Sequence, residues 1–241
     1  MDDPIVHDKS PDLRVLSLKY INLECCLVGS KPIARFVAAC SRLETLSISW
    51  DDPERAYDSQ TSDIVSAQYL SFGWSHLAKA LATHRESLAH LSLSTVELKR
   101  EFVQGEQNST KDSGFWQCLG KMTHLKSLSC CVSLAHGSTT ATGEALTSVM
   151  PKSVRDLQLV EDLNAGGRVG PDEEARAMRL DSLKHLLADK SFTQLERISA
   201  LDYEDVGEVH AKALGWKVKA EGSGGIQAFK RSTGKKIVRH E

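Results

Sequence analysis

The sequence predicts an α/β solenoid: a curved parallel sheet on the concave side, helices on the convex side, and a small α/β cap at the C-terminal end. Three observations predict it. The pattern L-x-x-L-x-L recurs as "LRVLSL" from Leu13, "LETLSI" from Leu43, "LAHLSL" from Leu88, "LKSLSC" from Leu125, "VRDLQL" from Val154 and "LERISA" from Leu195. Five of the six copies follow a segment with apolar residues at helical spacing. Successive copies start between 29 and 45 residues apart, which leaves room for a helix in every return.

The pattern has a physical cause. In a strand successive side chains alternate between faces, so positions 4 and 6 enter a core while positions 3, 5 and 7 point away from it. One such strand cannot bury its apolar side alone; stacked copies can, one strand per repeat.

Each element follows in order. After "LRVLSL", the segment "KPIARFVAACSRL" (Lys31 to Leu43) places Pro32 at a helix start and Ile33, Phe36, Val37 and Cys40 on one face. "WSHLAKALATHRESL" (Trp74 to Leu88) repeats this with Leu77, Ala78, Leu81 and His84, the last expected as a hydrogen-bonded core histidine. "FWQCLGKMTHL" (Phe115 to Leu125), "GEALTSVMPKSV" (Gly143 to Val154) and "LDSLKHLLADKSFTQL" (Leu180 to Leu195) supply the other helices. The repeats occupy residues 1–205. Residues 206–241 form the cap, with a short helix (Val206 to Leu214), a strand (Trp216 to Ala220), a Gly-rich turn and an extended pair around "STGK". This segment is locally basic and is read as a solvated tail.

With the residues aligned, the chain resembles the leucine-rich repeat proteins, of the long-repeat kind found in ribonuclease inhibitor. It looks in particular like the degenerate repeat regions attached to F-box motifs in many fungal proteins, and the resemblance covers roughly Leu13 to Asp205. The family's Asn or Cys at position 9 is absent, that position holding Ile21, Asp51, Val96, Ser133, Asp162 and Tyr203, so no regular ladder of buried Asn is expected. No F-box signature precedes the first repeat. The resemblance implies a protein-binding role.

Composition bounds the rest. The 241 residues are 41 % hydrophobic and 26 % charged with a formal net charge of -2, which gives no global field toward nucleic acid or an anionic membrane. The six cysteines contain no C-x-x-C pair and fit free thiols better than a disulfide framework. "MDDPIVHDKSPDL" lacks the basic start and apolar core of a signal peptide, and no apolar run approaches the roughly 18 residues of a membrane span. A cytoplasmic or nuclear address is expected, and the "NST" sequon at Asn108 is then accidental.

Catalytic signatures are missing: the chain has no G-x-S-x-G, no H-E-x-x-H and no Walker motif. No cofactor, metal or small-molecule substrate is expected. The serines at position 5 (Ser17, Ser47, Ser92, Ser129, Ser199) suit a crowded sheet face by size. The pair His90 and Ser92 is the enzymatic alternative, a hydrolase or transferase drawing an acid from the insertion Glu161 to Arg176.

The candidate binding residues come from columns of the alignment. Position 8 holds Tyr20, Trp50, Thr95, Val132, Glu161 and Asp202; position 3 holds Val15, Thr45, His90, Ser127, Asp156 and Arg197. Tyr20 and Trp50 would be adjacent aromatic anchors, or would lean into a loop and fill a gap. The predicted site is Tyr20, Trp50, His90, Asp156, Glu161 and Arg197. Insertions at Asp51 to Asp63, Lys99 to Gly114 and Glu161 to Arg176 should emerge on the edge where strands end. The first and third are acidic, which favours a basic protein partner. The expected function is a non-enzymatic protein-binding module, or the substrate-recognition part of an F-box-type ubiquitin ligase adaptor; membrane and nucleic-acid partners are disfavoured. In "LKSLSCCV", Cys130 takes the inward position 6 and Cys131 the outward position 7.

Overall fold

The computed structural model describes residues 16–26, 28–50, 74–94, 114–131, 147, 150–160, 181, 183–201, 211–214, 216–221 and 226–231. They form an α/β structure around one eight-stranded sheet. Strands β1 (Tyr20–Cys26), β2 (Thr45–Trp50), β3 (His90–Ser94), β4 (Ser127–Cys131), β5 (Asp156–Val160) and β6 (Arg197–Leu201) are parallel and lie side by side in chain order. Helices α1 (Ser30–Ala38), α2 (Trp74–Ala82) and α3 (Phe115–Gly120) fall between successive strands. Parallel neighbours need such a crossover, because each strand must return to the same end before pairing.

The alternation rule decides which side is core. Leu46 and Ile48, Leu91 and Leu93, Leu128 and Cys130, and Leu157 and Leu159 are all at most 3 % exposed. They form one cluster with Ile33, Ala34 and Val37 of α1, with Trp74, Leu77, Ala78 and Leu81 of α2, and with Phe115 and Leu119 of α3. The helices therefore cover one face of the sheet, and α2 packs between α1 and α3. Phe36, expected on the buried face of α1, is 39 % exposed, while Ala34 takes the buried place.

The same backbone joint recurs from unit to unit. The carbonyl of Lys19 accepts both the Glu44 and Thr45 amides, and Glu44 accepts those of Ala89 and His90. Ala89 accepts Lys126 and Ser127, Lys126 accepts Arg155 and Asp156, and Arg155 accepts Glu196 and Arg197, all at 2.7 to 3.1 Å. Five identical joints hold the strand starts in step, so equivalent residues lie in straight rows despite unequal lengths between strands.

The joint also corrects the first unit. The strand is "YINLECC" and not "LRVLSL": Ile21 pairs with Leu46 and Leu23 with Ile48, so the true copy is "LKYINL" from Leu18. Leu16 makes only an isolated bridge to Cys40, and Leu18 is 42 % exposed. Both hexamers satisfy the apolar template; only pairing along the full length of β2 distinguishes them. Near its end β1 bulges between Leu23 and Cys26, with Cys25 in the left-handed region at φ 50°. Residues 13–15 of the expected first strand lie outside the described residues.

Beyond β6 the sheet changes direction. Strand β8 (Ile226–Arg231) pairs antiparallel with β6, and β7 (Trp216–Glu221) pairs antiparallel with β8 as the outermost strand. Trp216 is buried and its Nε1 donates to the Leu187 carbonyl at 3.3 Å, which anchors this hairpin to the helical stretch at residues 183–188. The segments expected at residues 206–210 and around "STGK", half of the helix expected between Gly143 and Val154, and nearly all of the three insertions lie outside the described residues.

Candidate functional site

The face away from the helices is built by parity. Outward residues alternate with the buried ones, and the joints align them in rows. Tyr20, Thr45, His90, Ser127, Asp156 and Arg197 are consecutive register partners across the six parallel strands. With strands about 4.8 Å apart, that row spans roughly 24 Å. Register carries it on to Lys230 of β8 and Lys217 of β7. The next row is Asn22, Ser47, Ser92, Ser129, Gln158 and Ser199, of which Ser199 is buried although it has outward parity.

The rows differ in character along the sheet. Tyr20 is 69 % exposed at one end. The middle is hydroxyl-rich, and at the other end the Arg197 Nε sits 3.1 Å from Asp156 Oδ1 with both side chains about half exposed. An exposed pair of this kind contributes no more than about 1 kcal/mol. Its geometric effect is to hold the guanidinium along the sheet surface rather than free in solvent.

Four predicted residues, Tyr20, His90, Asp156 and Arg197, thus fall in one row. Glu161 lies outside the described residues. Trp50 does not belong to the face: it is 0 % exposed, its register partner is Cys26, and its Nε1 donates to the Val28 carbonyl at 3.2 Å. Position 8 has the parity of the core positions 4 and 6, so Trp50 had to point inward. Tyr20 belongs to position 3, and with "LKYINL" as the first copy its neighbour is Thr45. The five-residue difference between "LRVLSL" and "LKYINL" is what separates the two aromatics.

Inside, Trp50 begins an aromatic chain. It meets Trp74 edge-on at 6.1 Å, Trp74 meets Phe115 at 5.1 Å, and Phe115 meets Trp116 at 5.6 Å. Edge and tilted contacts of this kind suit the aromatic quadrupole, and here they join β2, α2 and α3.

For nucleophilic chemistry the surroundings of His90 and Ser92 matter. His90 is flanked in register by Thr45 and Ser127, and Ser92 by Ser47 and Ser129, all hydroxyls. Burial pushes the Cys40 and Cys118 thiols up, with Lys121 opposing this at Cys118, and hydrogen bonds from Ser191 pull Asp189 down. Among the described residues no group of three or more His, Cys, Asp or Glu is placed to hold a metal ion, and no helix is long and apolar enough to cross a membrane.

Sequence reasoning missed Lys217. The alternation in "WKVKAE" assigns Lys217 to the face opposite the buried Trp216, but only the antiparallel pairing of β8 with β6 carries it into the row of Arg197. No family model matches the chain, and no curated protein matches it.

Proposed function

We propose that this chain is a non-enzymatic recognition module of the leucine-rich repeat type, which binds a protein partner across its open sheet face. The observation that carries the proposal is the register row from Tyr20 to Arg197, in which repeated apolar positions are spent on the core and the same number of outward positions are left to vary. A surface kept in register by five identical joints and differing in chemistry from strand to strand suits recognition of one extended surface. The exposed Tyr20 end provides an aromatic anchor.

The experiment places bulk on the face. Ser92→Arg and Tyr20→Ala should each reduce partner capture, while Lys79→Glu, on the solvent side of α2, should not; circular dichroism should be unchanged in all three. A partner retained equally by Ser92→Arg and wild type overturns the reading. Incorporation into an F-box-type ligase is a narrower form of the same function and predicts that a ligase subunit copurifies with the full chain. The hydrolase or transferase alternative predicts activity that His90→Ala abolishes.

A further inference from the structure

We propose that the end of the open face formed by β6, β8 and β7 takes an acidic peptide segment of the partner, drawn by the cationic residues that share the register positions Arg197, Lys230 and Lys217; this deepens the recognition reading and rests on it. In an antiparallel sheet, directly opposed residues have Cβ atoms about 5 Å apart, and like charges there are destabilising. Here Lys230 is the register partner of both Arg197 and Lys217, so three cationic residues stand in direct succession across three strands. One carboxylate, Asp156, is paired with this row among the described residues, at Arg197.

Folding alone gains nothing from that arrangement. A hairpin that only covers the last apolar layer needs its inward residues, such as the buried Trp216, and leaves the outward ones free to carry either sign. Lys219 follows Lys217 two residues on, in register with Ala228 and one row along from the Arg197 row, and Glu221 comes a further row away. The positive charge is thus concentrated where the hydroxyl rows end. A strand-like acidic segment laid across the sheet would meet neutral hydroxyls first and this row last. The Asp156 to Arg197 contact sets the guanidinium beside the sheet surface, where a partner carboxylate can be a second acceptor.

The test is a titration of a fluorescein-labelled Glu/Ser peptide with the full chain, read by anisotropy, beside a Gln/Ser peptide and a single-stranded oligonucleotide of equal charge. Binding of the Glu/Ser peptide alone, weakened about tenfold by Lys217→Glu and less by Lys217→Met, is the expected result. Lys79→Glu should leave it unchanged. Because Lys217→Glu also relieves a like-charge opposition, its denaturation midpoint should equal or exceed that of wild type. An unchanged affinity in Lys217→Glu, equal weakening by Lys79→Glu, or preferential binding of the oligonucleotide would overturn the proposal. If the Glu/Ser peptide fails while Ser92→Arg still blocks the partner, the chemistry assigned to this end is wrong and the recognition face stands; if Ser92→Arg also has no effect, the recognition face falls with it.

Discussion

The imidazole of His84 donates from Nε2 to the Val37 carbonyl at 2.9 Å while its Nδ1 accepts the Leu43 amide at 3.3 Å. A backbone N–H can only donate, so the tautomer with the proton on Nε2 is required. His84 is 1 % exposed and ties the turn after α2 to both ends of the turn between α1 and β2. Ser87 adds a third tie, its Oγ donating to the Leu43 carbonyl at 2.8 Å. His84→Ala leaves a buried amide and a buried carbonyl without this partner and should cost about 2–4 kcal/mol in urea denaturation. A loss below about 0.5 kcal/mol, the range of ordinary surface substitutions, would show that water replaces the ring.

Trp50 gives the cleanest contrast with Tyr20. Trp50→Ala removes the head of the aromatic chain and an indole hydrogen bond, and should destabilise the protein by about 3–5 kcal/mol. Tyr20→Ala, at an exposed outward position, should shift stability by no more than about 0.5 kcal/mol. Thermal denaturation of the two variants side by side checks the inward assignment of position 8.

Acid should weaken one inter-unit tie. Asp189 accepts the Ser191 amide at 2.7 Å, and Lys152 Nζ lies 2.6 Å from Ser191 Oγ, 3.6 Å from Asp189 Oδ2 and 3.6 Å from the centre of the Phe192 ring. These hydrogen bonds, and to a lesser degree Lys152, hold the Asp189 carboxyl below its ordinary value. A folded value below the unfolded one means that the stabilisation is full above the unfolded value and is lost as pH falls through the folded one. Partial exposure limits it to under about 1 kcal/mol. Asp189→Asn should therefore differ from wild type near neutral pH and converge with it in acid, as urea midpoints measured from pH 7 down to pH 3 would show.

Thiol reactivity should follow burial. Cys25 is exposed at the β1 bulge, whereas Cys40 and Cys130 are buried and Cys118 is half-buried with its Sγ 3.2 Å from the Ala78 carbonyl. Burial also pushes the Cys40 and Cys118 thiols up, which lowers their thiolate fraction. Brief iodoacetamide treatment followed by peptide mapping should label Cys25 first and leave Cys40 and Cys130 unlabelled until denaturant is added. Labelling of Cys130 in the folded chain would contradict its inward position; Cys131, expected outward, has a side chain outside the described set.

The parallel α/β organisation was legible because it rests on short-range periodicity: Leu46 and Ile48, or Leu157 and Leu159, announce a buried face within one hexamer. The row Thr45, His90, Ser127, Asp156 and Arg197 could be read from the same hexamers, since a parallel sheet with equivalent joints keeps equivalent positions together. Three things waited for the tertiary structure. Two overlapping apolar hexamers compete for the first strand, and only long-range pairing of Ile21 with Leu46 selects one, which moves Tyr20 beside Thr45. Trp50 acquires its role from Val28, 22 residues earlier, and Trp74, 24 residues later, which local pattern cannot connect. The cationic end exists only because β8 pairs antiparallel with β6, a choice made between segments distant in sequence, so charge that reads as a solvated tail along the chain becomes a row across the sheet. Periodicity determines which residues face inward; the pairing of strands decides which of the outward ones become neighbours, because that depends on contacts no local window contains.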